Sequence, residues 1–143
     1  METDPNKVEL PMAASDAFGS KVGMVFEELS AERVVGTIPV DGNTQPYGIL
    51  HGGAACTIIE ALASMGAALA AGFPAKVVMG MQQSTNFIKA VTDGTVRGVA
   101  VPIQNGRTTA VWQVDLTHVE SGRLIASGRV TLAVRDARPG QFG

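Results

Sequence analysis

Apolar positions recur along this chain with two periods, and the switch between them divides it. Residues 23–29 and 32–40 alternate apolar with polar side chains and are rich in Val and Ile, which predicts two strands around a Ser30-Ala31 turn. Alternation returns after residue 75. Residues 76–88, 95–103, 107–119 and 123–135 each read as a strand, the first interrupted at Gly80. Gln104-Asn105-Gly106 joins two of them and Glu120-Ser121-Gly122 leads into the last, short turns that predict an antiparallel meander. Residues 12–21 predict a short helix capped by Ser15 or Asp16. The stretches 1–11, broken by Pro5 and Pro11, and 136–143 read as loose arms.

Between the two sets of strands, residues 45–72 follow another rule. Polar, turn-forming residues at 41–47 predict an ordered loop. A helix then runs from about Gly52 to Ala71, where Gly72-Phe73-Pro74 stops it. Its residues are mostly Ala, Ile, Leu and Met, with no broad polar face, so the helix reads as buried. One carboxylate, Glu60, interrupts it, and a buried carboxylate is costly unless its neighbours compensate it. Five or six antiparallel strands and one long apolar helix predict an α+β domain over residues 1–143, its curved sheet wrapped around a central helix. One helix cannot cover such a sheet, so a second subunit is expected to complete the burial.

Composition narrows the class. A hydrophobic share of 45% against 17% charged fits a globular domain with above-average burial. The lone Cys56 excludes an intrachain disulfide and suits a reducing cytoplasm. The polar, acidic start METDPNKVEL does not read as a signal peptide, and the apolar run 61–75 is too short to predict a membrane span. Up to Ala71 three basic residues face nine acidic ones, whereas from Gly72 onward eight face four. The basic half has no dense cluster, which argues against a nucleic-acid partner and suits a small phosphorylated ligand or a solvated surface. One Cys and two distant histidines, His51 and His118, are too few for a zinc site.

The helix suggests chemistry at two points. Its N-terminus offers unpaired N–H groups and a partial positive charge, and Gly52 and Gly53 let a ligand approach that backbone closely. Such a mouth can hold a carbonyl that becomes an oxyanion, although a glycine pair also serves a plain tight turn. Thr57 and Ser64 stand three before and four after Glu60, on one helical face, where hydroxyls can keep a carboxylate ionised. Glu60 then reads as a nucleophile or general base, or else as a structural glutamate bonded across an interface. Gly52 and Glu60 are eight residues apart, or ~12 Å along a helix at about 1.5 Å per residue. For both to act on one carbonyl they must come from different chains, with two helices antiparallel and close at Ala63, Ala67 and Ala71.

The constellation of Gln45, Pro46 through Gly53 and Glu60 nine residues beyond His51 resembles the hotdog-fold acyl-CoA thioesterases, over about residues 18–134. The branch is that of the phenylacetate-degradation and glutamate-dependent 4-hydroxybenzoyl-CoA enzymes. The resemblance implies Glu60 as nucleophile or base, with the Gly52 N–H of a partner subunit polarising the thioester carbonyl. It implies that His51 and Gln45 orient the carbonyl or the water and that Ser64 assists Glu60. Gly53 would contact the substrate, and Met65 would line the acyl pocket. Asn86, Lys89, Arg107, Thr108 and Thr109 would meet the nucleotide, with Lys89, Arg107 and Thr108 near its phosphates. Many relatives carry His where this chain has Phe87. No cofactor beyond the CoA of the substrate and no nucleic-acid or membrane partner are expected, and the family implies a dimer of dimers.

Two rival readings remain open on the residues alone. A hotdog dehydratase also pairs His with an acid, but in a histidine–proline loop that is missing here. A non-catalytic acyl-CoA-binding domain would keep the basic contacts and would not need Glu60.

Overall fold

The computed structural model describes residues 16–142. In chain order these form α1 (Ala17–Lys21), β1 (Val25–Leu29), β2 (Val34–Pro39), α2 (Gly52–Ala71), β3 (Lys76–Phe87), β4 (Thr95–Asn105), β5 (Thr109–His118) and β6 (Leu124–Asp136). Asp16 caps α1, accepting the Gly19 N–H at 2.8 Å. Of the two expected caps only Asp16 can be assessed, because residues 12–15 lie outside the described residues.

The strands make one six-stranded antiparallel sheet in the order β1-β2-β4-β5-β6-β3. The expected meander holds for β4-β5-β6 alone. β3 does not follow β2; it crosses to the far edge and pairs with β6, so that β2 and β4 become neighbours. That crossover is forced by α2, which stands between β2 and β3 in the chain and packs against every strand from β2 to β6. The sheet edges, β1 and β3, therefore flank the side of the helix that the sheet leaves open. This is the hotdog architecture.

How the helix is rolled about its axis decides which residues face that opening. Gly36 and Gly98 are register partners on β2 and β4. A Cβ on Gly98 would lie 2.4 Å from Leu62 Cδ1, and one on Gly36 2.8 Å from Leu62 Cδ2. Leu62 thus seats in a slot that only paired glycines leave, and Ile58, Ile59, Ala63 and Ala67 follow it into the core. Truncating Leu62 to Ala would cost about 2–5 kcal/mol on the scale of such cavities. Trp112 closes the core below, fully buried, with its indole N–H donating to Asn105 Oδ1 at 2.9 Å.

Two expectations about the termini of elements change. The helix is 20 residues long with mean hydropathy 1.7, long and apolar enough to cross a membrane, yet half of that window is buried in the fold, as in a core helix. The segment 137–142 is not a loose arm. β6 continues to Asp136, the Ala137 N–H donates to Ala75 O at 3.0 Å, and Phe142 packs on Phe73.

Candidate active site

The mouth of α2 is built by its preceding loop. Asn43, buried in a polar turn, donates through Nδ2 to Val22 O and Pro39 O, both at 2.8 Å, and its carbonyl accepts the His51 N–H at 2.8 Å. His51 is thereby held in extended backbone as the N-cap. Its Nδ1 accepts the Gly53 N–H at 2.8 Å, and its carbonyl accepts the N–H groups of Ala54 and Ala55. A ring nitrogen that accepts carries no proton, so the neutral imidazole bears its proton on Nε2. One first-turn donor is left over: among the described residues the Gly52 N–H has no acceptor. The Gly53 N–H is engaged by His51, so it is not a free donor at the mouth.

Close approach explains the glycine at the mouth. A Cβ on Gly52 would stand 3.2 Å from the Phe87 ring, which covers this backbone from β3. Phe87 and Gly52 line a cavity of about 310 Å³ together with Gln45, Ile88 and Lys89. Gln45 is half-buried there, and its side-chain carbonyl accepts the Tyr47 N–H, which fixes the loop.

Glu60 lies on the opposite flank from the core. Ser64 Oγ donates to Glu60 Oε1 at 2.7 Å, as the spacing suggested. Thr57 does not join them; its hydroxyl donates instead to Gly53 O at 2.8 Å, back along the helix. In the single chain Glu60 is exposed, not buried, since the seat of Leu62 turns it to the open side. There it borders a cavity of about 440 Å³ whose other walls are mainly apolar, including Met65, Phe73, Met79 and Phe142.

Among the described residues the two cavities have no lining residue in common. Gly52 and Glu60 belong to one helix yet face separate spaces, in accord with their spacing of ~12 Å. The residues expected at a nucleotide do not meet within one chain either. Lys89 is at the helix mouth, Arg107 is at the other end of α2 beside Ala70 and Ala71, and Asn86 faces a shallow polar cavity with Gln113 and Arg129. Thr108 and Thr109 are exposed beside Arg107. Asn43, Phe73 and Phe142 escaped the sequence reading. A polar loop residue gives no sign of burial before its partners are placed, and an aromatic near a chain end is indistinguishable from a loose one.

A curved sheet of six antiparallel strands around one long helix is the hotdog fold. The thioesterase superfamily model matches residues 47–125. A 1,4-dihydroxy-2-naphthoyl-CoA hydrolase of Escherichia coli is 35% identical over 132 residues, covering 90% of this chain and 96% of the relative. A proofreading thioesterase of Cronobacter sakazakii is 35% identical over 114 residues, 79% of this chain and 82% of its own. The crystal structure of a thioesterase from Haemophilus influenzae superposes with a TM-score of 0.84 at 30% identity, covering 94% of this chain and 93% of that one. The chain belongs to the thioesterase superfamily and is a thioester hydrolase.

Proposed function

We propose that the chain is an acyl-CoA thioesterase whose site forms between two subunits, with Glu60 of one copy opposite the Gly52 N–H of the other. The observation that carries this reading is the separation within one chain. A carboxylate supported by Ser64 opens onto an apolar cavity, while the unengaged Gly52 donor opens onto another. Edge strand β3 offers the surface for pairing: Met79 and Met81 are 58% and 56% exposed, and among the described residues one of its backbone edges has no neighbouring strand.

In that arrangement the thioester carbonyl sits at the helix mouth, where the Gly52 N–H and the partial positive charge of the helix stabilise the developing oxyanion. Glu60 attacks the acyl carbon, or takes a proton from the water that does. The C–S bond breaks, and the sulfur leaves as the CoA thiol after taking a proton; the free acid forms directly when water is the nucleophile, or, when Glu60 is, after water hydrolyses the resulting acyl–Glu60 anhydride. His51, with its proton on Nε2, and Gln45 border the mouth where the carbonyl oxygen or the water would stand. An antiparallel pair carries the C-terminal end of one α2, near Arg107, Thr108 and Thr109, past the mouth of the other, near Lys89. The nucleotide phosphates of CoA would lie between them, and two such dimers would form a tetramer.

The acyl group is aromatic or short to medium in length, in keeping with the cavity of about 440 Å³ and with the E. coli relative named for an aryl-CoA. A panel of aryl- and alkyl-CoA esters, with release of free thiol as the readout, tests the reading. Turnover of at least one class is expected. Binding of the esters without any thiol release would replace the enzyme by an acyl-CoA-binding domain.

A further inference from the structure

Gln141 and Phe142 line the cavity that Glu60 borders, and the segment 137–142 that carries them is held by several contacts. Lys76 and Asp136, the last register pair of β3 and β6, are joined through their side chains. Ala137 is tied to Ala75 by a backbone hydrogen bond of 3.0 Å, one strand position further on. Arg138 and Gln141 then close a turn, the Gln141 N–H donating to Arg138 O at 3.0 Å and Gln141 Oε1 accepting the Arg138 N–H at 2.9 Å. The turn delivers Phe142 onto Phe73, with ring centroids 5.0 Å apart and planes at 64°. This edge-on contact is a favourable geometry for two aromatic rings. Phe73 is itself anchored to the helix end, its N–H donating to Ala68 O at 3.0 Å.

The same cavity follows one flank of α2. Glu60, Ser64 and Ala68 line it at successive turns, and Phe73 and Phe142 stand beyond them. From Glu60 to Ala68 the track covers ~12 Å of helix at about 1.5 Å per residue. Its polar lining residues are Glu60, Ser64, Asp16 and Gln141, the last beside the ring pair.

We propose that the Phe73–Phe142 pair is the end wall of the acyl track that starts at Glu60, so that the C-terminal turn sets the longest acyl group the site accepts. The proposal rests on the thioesterase reading for its substrate. Phe142 is half exposed, so its ring blocks the track without being a core residue, and its replacement leaves the core intact. A side chain at the end of an apolar pocket acts by excluding the next methylene, an effect of about tenfold or more per group.

Straight-chain esters from acetyl-CoA to myristoyl-CoA test this on the parent, on Phe142→Ala, on Phe142→Trp and on a chain ending at Ala137. The ratio of long-chain to short-chain kcat/KM is the quantity read. The parent should show a limit beyond which the ratio falls about tenfold per methylene. Phe142→Ala and the shortened chain should move that limit to longer esters, and Phe142→Trp to shorter ones. An identical limit in all four proteins overturns the proposal while leaving hydrolysis established. Titration with the corresponding S-alkyl-CoA thioethers separates the two readings, since it needs no turnover. A parent that hydrolyses nothing, but whose thioether affinities break at a length that Phe142→Ala shifts, keeps the wall and removes the hydrolase mechanism. Affinities that do not depend on length, or no binding of any thioether, sink the wall.

Discussion

Ser64 Oγ donates to Glu60 Oε1 at 2.7 Å across one turn of α2, on the flank that faces the larger apolar cavity. The same oxygen stands 3.1 Å from where a Cβ on Gly80 would be, so the carboxyl is fitted between its own helix and edge strand β3. A hydroxyl that donates to the charged form stabilises it. With Oε1 engaged, Oε2 is the oxygen that the proposed mechanism would use on the water or acyl carbon.

The first prediction concerns the acid itself. Glu60→Gln keeps the shape and removes the basic oxygen, so turnover should fall at least ~100-fold. Affinity for the CoA ester, measured by calorimetry on the variant, should persist. Hydrolysis at the parental rate would remove Glu60 from the mechanism.

The supports of Glu60 should be separable from it. Ser64→Ala loses one hydrogen bond to a charged group, about 1.5–3 kcal/mol, and a tenfold or larger fall in kcat is expected. Gly80→Ala places a Cβ against Oε1 and should lower kcat with little change in the denaturation midpoint. If the midpoint falls as steeply as the rate, Gly80 serves the bulge between Gly80 and Gln82 in β3 instead of the carboxyl.

His51 caps α2, and different substitutions separate that role from a proposed part in the reaction. Its Nδ1 caps α2 through Gly53, a role an asparagine side chain can also play, whereas alanine cannot. His51→Ala should destabilise the protein by about 1 kcal/mol, and His51→Asn by much less. Thioester hydrolysis tells the rest. Activity lost in both variants assigns the imidazole a part in the reaction, and activity regained in His51→Asn reduces it to a cap.

The helix was legible in the sequence to the residue, because the turn chemistry at Gly72 and the loop before Gly52 leave no other bounds. Strand alternation located six strands but not their order, since β3 and β6 make contact only after α2 has been accommodated. The Glu60–Ser64 pair followed from helical spacing alone. The exposure of Glu60 did not, because apolar content cannot say how a helix is rolled; the Gly36–Gly98 slot for Leu62 decides that, and it pairs residues from two strands. Phe142 was unreadable for a similar reason. Its partner Phe73 is 69 positions earlier in the chain, and nothing local links them.

Away from the site, acid stability should depend on Glu120. Its carboxylate accepts the Thr95 N–H with both oxygens at 3.0 Å, and this hydrogen bond, aided by His118 at 3.1 Å, holds its pKa below the ordinary 4.5. A lowered folded-state pKa adds stability above the unfolded value and loses it as pH falls through the folded one. Glu120→Gln should therefore lower the urea midpoint at neutral pH, and the gap to the parent should close below about pH 4. A gap that stays constant across that range would rule out the carboxylate as its source.

The shared site makes the most demanding prediction. Glu60→Ala chains lack the acid, and Gly52→Pro chains lack the donor. Proline is tolerated at a first helical position, where it removes an N–H that the helix does not use. The half-exposed Phe87 ring must shift slightly to admit it, as a Cβ there would be 3.2 Å away. Each variant alone should be nearly inactive, since every site in its homodimer misses one group. A heterodimer places intact Glu60 from the Gly52→Pro chain opposite intact Gly52 from the Glu60→Ala chain, while its second site lacks both. Random mixing yields half heterodimers, each with one complete site, so about a quarter of the parental activity should return by twofold symmetry. Co-expression with two affinity tags isolates the heterodimer, whose predicted activity is half the parent's. Heterodimers that prove as inactive as either homodimer would show that Glu60 and Gly52 do not act on one carbonyl across the interface.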